Sequence, residues 1–215
     1  MTTFLQLTND VLARMRESSV ATVATSPYTI LIGKFVNDAK RQVEDAWTWD
    51  ALSTTLSLST VSGTSNYVLT GSGLRQRQAT VNDTANLVRL GNAPIKWIQD
   101  QQQLTTTVNA QPIYYAWNGS NGTDSKVELW PTPNAAYVLK FNLYVPQVEL
   151  SLDADVLLIP SAAVVAGAYA RAIVERGEDG GMASSEAYGL YKGILADQIA
   201  IESARFIEND AWVPT

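Results

Sequence analysis

Two places in the chain bring acidic side chains close together: Glu44-Asp45 and Asp153-Ala154-Asp155. Paired carboxylates can do general acid/base work or hold a hard cation. Consecutive helical residues point about 100° apart, so Glu44 and Asp45 do not converge and read as a solvated helix face. Asp153 and Asp155 precede a helix start, where negative charge is favoured, and they lack the spacing of a calcium loop. They read as capping or linker groups. The chain contains no His and no Cys, which removes Ser-His-Asp and Cys-His catalysis, His-based zinc sites and disulfides. Gly71-Ser72-Gly73 lacks the Lys-Ser/Thr of a phosphate loop and reads as a turn. The residues therefore predict no catalytic centre, no cofactor and no metal. A hydrolase built on Asp153 and Asp155 is the weakest of the functional readings.

Binding chemistry has three candidates. Arg75 and Arg77, with Arg89, Lys96 and the nearby Trp97, form a basic cluster that could touch single-stranded nucleic acid. In an alternating strand Arg75 and Arg77 share one face, and a solvated face or acidic partners is the favoured reading. Tyr114, Tyr115 and Trp117 beside an Asn-Gly loop could form a recognition surface for a receptor or carbohydrate. Of the six Trp residues, Trp47, Trp49, Trp97, Trp117 and Trp130 are expected in the core. Trp212 lies in a polar, proline-ended tail, where it could anchor a partner or fold back on its own subunit. Sequons at Asn82, Asn118 and Asn121 read as turn chemistry.

The elements that must position these groups follow a sandwich order. Thr3 with Gln6 fits a capping box, and Phe4, Leu7, Val11, Leu12 and Met15 recur at helical spacing. Ser26-Pro27 opens a second helix of about 20 residues. Its expected apolar stripe is Tyr28, Leu31, Ile32, Phe35, Ala39, Val43, Ala46 and Trp47, with Lys40 and Glu44 outside it. Strands are predicted over 52–61, 66–69, 74–81, 86–90, 95–98, 113–117, 126–130 and 138–145. One helical turn is expected at 99–104 and a hairpin loop at 118–123. Pro160 opens a helix ending near Arg176, stopped by Gly177 and Gly180-Gly181, and a last helix runs from about Ser184 to Ile207. The predicted fold is α+β: a helical bundle built from N- and C-terminal helix pairs, with an inserted antiparallel β-sandwich-like module. The expected domains are 1–50, 51–150 and 151–215.

Composition sets outer bounds. The chain is 46% hydrophobic and 17% charged, enough apolar material for a core. No apolar run approaches the ~18 residues of a membrane span, and the first residues lack a signal-peptide pattern. A soluble protein made in a cytoplasm, with no membrane partner, is expected. Residues 151–215 carry ten acidic and four basic groups. That acidic excess repels phosphate backbones and argues against sequence-specific duplex binding. It still permits loose passage of DNA.

Phe4–Arg16 resembles the first helix of the head-to-tail adaptors of short-tailed bacteriophages. The stretch Tyr28–Trp49, with its aromatic stop, is similar to the second. Ala168–Gly181 and Trp212-Val213-Pro214 resemble the C-terminal portion. The likeness covers both helical ends, about half the chain. It implies a structural virion protein forming a ring, usually twelve-fold, that joins the portal to the tail at the head–tail junction and lines the DNA channel. It also implies a β module facing a tail tube or nozzle protein. Contacts with the portal then fall to Phe206, Ile207, Trp212 and Val213. Thin, Ala-rich helix faces, as at Ala162, Ala163, Ala166, Gly167 and Ala170, suit close packing between subunits of such a ring.

Overall fold

The computed structural model describes residues 2–104, 106, 108–177 and 182–205. It is α+β, with N- and C-terminal helices flanking a β-rich middle. The chain divides into two compact units: Met1–Ala51 with Gln147–Thr215, and Leu52–Pro146.

The helical unit starts with α1 (Phe4–Arg14), whose capping box pairs Thr3 and Gln6 as the sequence predicts. Helix α2 (Pro27–Ala46) begins with Ser26 as cap and Pro27 in its first turn. Between them, at 18–25, lies a 3₁₀ turn (Val23–Thr25) rather than plain loop. Helix α4 (Ser161–Arg176) starts after Pro160 and ends on Gly177 in the left-handed conformation (φ 62°). Gly at that position avoids the Cβ clash that other residues meet. Helix α5 (Met182–Ser203) follows; the expected Gly180-Gly181 stop lies outside the described residues.

Helix α4 packs on α1, α2 and α5. Its residues Ala163 to Ala168 are all buried, so the helix is covered around its whole girth there. The thin face is used inside the subunit: a Cβ added at Gly167 would sit 3.1 Å from the Tyr191 ring and 3.2 Å from the Ala39 methyl. Small residues let three helices approach one axis closely.

The buried face of α2 is also rotated from the predicted stripe. Ala46 is exposed, whereas Lys40 and Glu44 are buried at 2% and 3% exposure. The Lys40 ammonium donates to Glu44 Oε1 at 2.9 Å and to the Gln147 carbonyl at 2.6 Å. Glu44 Oε1 accepts the Gln147 N–H at 3.0 Å. The Gln147 side chain donates to the Val156 carbonyl (2.6 Å) and accepts the Leu158 N–H (3.2 Å). One turn earlier, Asn37 exchanges two hydrogen bonds of 2.9 Å with the Leu150 backbone. Two polar side chains counted as solvated thus capture the chain where it returns to the helices.

The β unit holds two four-stranded sheets. One has the order β1 (Ser53–Ser59), β10 (Val138–Tyr144), β3 (Arg77–Asp83), β4 (Val88–Arg89) and is antiparallel throughout. The other has the order β2 (Asn66–Val68), β8 (Ser125–Trp130), β7 (Tyr114–Ser120), β5 (Gly91–Asn92). Its β5–β7 pairing is parallel, as is a separate pair, β6 (Asn109–Ala110) with β9 (Thr132–Pro133). These short parallel pairings depart from the expected antiparallel module. Leu58, Val81, Leu139, Phe141 and Leu143 from the first sheet form one core with Tyr115, Val127 and Leu129 from the second, the arrangement of a sandwich.

Residues 95–98 are not a strand. They open α3 (Ile95–Leu104), which packs on β7 and β8. Ile95 and Ile98, three apart, share a helical face and meet Ala116 and Trp130. The Gln-rich run that follows, Gln99 with Gln101, Gln102 and Gln103, favours helix.

Lys40→Met is expected to cost about 3–5 kcal/mol, because it buries the Glu44 carboxylate without the Lys40 counter-charge. The Lys40→Met/Glu44→Leu double variant should cost much less. Urea denaturation measures both; equal losses would show that the two charges are uncoupled. Gly167→Val should destabilise by about 1–3 kcal/mol through overpacking.

Candidate functional site

The sequence candidates separate clearly in space. Glu44 belongs to the buried clamp, and its neighbour Asp45 is exposed, so the two carboxylates do not converge. Asp153 Oδ1 accepts the Val23 N–H at 3.0 Å. Asp155 Oδ2 accepts the N–H groups of Ser151 (2.7 Å) and Leu152 (2.8 Å). Hydrogen bonds from Thr22 and Val23 hold the Asp153 carboxyl below its ordinary range, and those from Leu152 and Ser151 do the same for Asp155. Both are loop anchors, each held by backbone N–H groups and a hydroxyl of one segment: Thr22-Val23 for Asp153 and Ser151-Leu152 for Asp155. Among the described residues no group of three acidic side chains is placed to hold a metal.

The basic cluster is dispersed. Arg77 starts β3 and Arg89 lies in β4, but Arg75 sits in the bend before β3, so the alternation that would align Arg75 with Arg77 does not reach it. Of the proposed recognition aromatics, Tyr115 is core and Trp117 packs against that core. Only Tyr114 is exposed, edge-on to Trp97 with ring centroids 5.3 Å apart. Trp97 is 38% exposed, contrary to its expected place in the core. Asn121 caps a turn through the Thr123 and Asp124 N–H groups. Asn82 and Asn118, by contrast, are strand residues. The loop between β7 and β8 is accordingly shorter than predicted. Phe206, Ile207, Trp212 and Val213 lie outside the described residues.

Sequence reasoning missed two carboxylate cages in the β unit. Glu128, 5% exposed, accepts from Ser65 Oγ (2.6 Å) and Gln102 Nε2 (2.8 Å) on one oxygen. Its other oxygen accepts from Asn66 Nδ2 (2.6 Å) and Asn118 Nδ2 (3.0 Å). Burial pushes its carboxyl up, but the four hydrogen bonds outweigh burial and leave it below the ordinary range. Asp83, 1% exposed, accepts from the Ala85 and Asn86 backbone and from the Asn86 and Gln111 side chains. Burial raises it and those bonds lower it further. Every donor is neutral and every carboxylate oxygen is engaged. These cages fix strands, and they have no lone pair aimed at a substrate.

An apolar groove of about 640 Å³ lies between α2, α4 and α5, lined by Phe35, Gln42, Arg171, Val174, Glu175 and Tyr188 among others. Helix α5 packs on α4 and buries only Ala187, Tyr191 and Glu202 fully. Met182, Tyr188, Leu190 and Ile201 remain exposed. Glu202 accepts the Asp50 N–H at 2.9 Å and so ties α5 to the end of the first hairpin.

The acidic candidates act as structural anchors, and α5 keeps part of its apolar surface exposed. The family model described as SU10 adaptor protein matches residues 2–210, and the chain belongs to that family of bacteriophage structural adaptors. Among curated proteins, none matches the sequence.

The cages generate a prediction with a definite sign. Glu128 and Asp83 titrate lower in the folded state than in the unfolded chain, whose values are near 4.5 and 3.8. Their stabilisation is present above those values and is lost as pH falls through the folded ones. Glu128→Gln should therefore be less stable than the parent at neutral pH, with the gap closing as pH drops below about 4.5. Urea unfolding across that range tests it. A gap independent of pH would remove the carboxylate charge from the account.

Proposed function

We propose that this adaptor is a ring-forming subunit, twelve to a ring, that joins the portal to the tail of a short-tailed phage and lines the channel through which DNA passes. Membership of the adaptor family carries the reading. The physical support is α5: a helix apolar on more than one face expects cover on more than one side, and its main packing partner among the described residues is α4. The contact between subunits is heterologous, so rotational symmetry closes it. The acidic excess of 151–215 suits a channel wall that repels the duplex instead of gripping it. The β unit offers the tail tube or nozzle a platform, and Phe206, Ile207, Trp212 and Val213 meet the portal. In the virion the protein sits at the head–tail junction.

Native mass spectrometry of the protein alone and mixed with its portal is the test. A closed oligomer near twelve subunits of 23.4 kDa, in either sample, is the expected result. A monomer indifferent to the portal would sink the reading. Deleting 208–215 should leave the fold intact and abolish portal attachment, read by co-sedimentation with portal rings. Normal docking of the shortened chain would take the tail out of the interface.

A further inference from the structure

We infer that the contact between copies is made by one flank of α5 entering the α2/α4/α5 groove of the next copy, with Asp197 pairing to Arg171 of the partner copy. The inference rests on the ring reading and names its interface. Leu190, Ile194, Asp197 and Ile201 recur at spacings of four, three and four, so they share one face of α5. Leu190 and Ile201 are 58% and 53% exposed. Asp197 is the one charge in that apolar stripe, and it makes no ion pair among the described residues. Gly193 and Ala200 beside it keep the surface low. A Cβ added at Gly193 would meet nothing within 4 Å.

The groove holds the complementary charge. Arg171, half-buried on α4, donates to the Gly167 carbonyl (3.0 Å) and to the Gln42 side-chain oxygen (2.8 Å). Both acceptors are neutral, and no carboxylate of the described residues reaches the guanidinium. Glu175 also lines the groove but makes no ion pair with Arg171 among the described residues, so the guanidinium can still take an incoming anion, and the surrounding Phe35, Val174 and Tyr188 favour an apolar one. An acid in an apolar stripe and a groove base that makes no ion pair among the described residues are charge-complementary.

The placement of the two patches selects a second copy as the occupant. Tyr188 lines the groove, whereas Leu190 belongs to the stripe. Two residues apart on a helix means about 200° around it, so groove and stripe lie on opposite flanks of α5. One copy cannot join its own stripe to its own groove. Successive copies can, each giving a stripe and receiving one, which is the head-to-tail geometry that closes a ring.

The chain has no cysteine, so introduced pairs report cleanly. Val174→Cys combined with Gly193→Cys or with Ala200→Cys should give a ladder of disulfide-linked oligomers on oxidation. Val174→Cys with Ala13→Cys on α1 should give none. Asp197→Arg, an exposed change, should reduce the ring fraction in native mass spectra about tenfold or more. The Arg171→Asp/Asp197→Arg exchange should restore it. Rings that persist in Asp197→Arg, or a ladder no stronger than the α1 control while wild-type rings form, would overturn this interface and leave the ring reading standing. Neither ladder nor ring in the wild-type background would overturn both.

Discussion

The helical unit depends on a buried ion pair that recognises backbone. Lys40 and Glu44, one turn apart on α2, would each be costly to bury alone. Together they present one donor and one acceptor, which the peptide groups at Gln147 match. The chain leaves this unit near Ala51 and returns at Gln147. Hydrophobic contact alone is non-directional and would let the returning segment slide along α2. Directional hydrogen bonds at Gln147 and again at Leu150 fix its register. That register sets where Phe4 and Leu5 receive their backbone partners from Asp155 and Asp153. It also sets where Pro160 launches α4 down the centre of the unit.

The β unit solves a related problem with different chemistry. Glu128 lies on the face of β8 turned away from the sandwich core, beneath α3. Four neutral donors from β2, β7, α3 and the segment before β2 converge on it. Neutral donors leave a net negative charge in place but satisfy each oxygen, so the group specifies which strands and which helix meet there. An apolar residue could fill the space without that specificity. Asp83 does the same for the β3–β4 turn and Gln111.

What could be read from the sequence was local. The capping boxes at Thr3 and Ser26, Pro27, Pro160 and Gly177 act within a turn of their own residue, so helix ends were placed nearly correctly. Strand centres followed for the same reason, through alternation of apolar side chains. Lys40, Glu44 and Glu128 escaped because a charge counts as solvent-facing until its partner is known, and those partners lie up to about a hundred residues away. Helix α3 escaped because Ile95, Trp97 and Ile98 in a short apolar run fit either period. The two-residue strands β5, β6 and β9 are too short to carry any period. For the candidate site, the acidic pairs and basic cluster were grouped by adjacency in sequence, which does not make side chains converge: Glu44 is buried while Asp45 is exposed, and Arg75 lies outside the strand that Arg77 begins. The groove beside α5, whose lining comes from three separate helices, had no sequence counterpart at all.

The interleaved connectivity of the two units also sets an order of events during synthesis. The β unit is contiguous, so all of its partners have emerged once residue 146 clears the ribosome. The first hairpin, α1 with α2, cannot bury its apolar faces until α4 follows, some 130 residues behind the end of α2. At about 5–20 residues per second that wait is about 6–26 s. Throughout it the hairpin is a nascent amphipathic surface available to chaperones, while the sandwich is already able to fold. The centre of the protein is finished before its beginning.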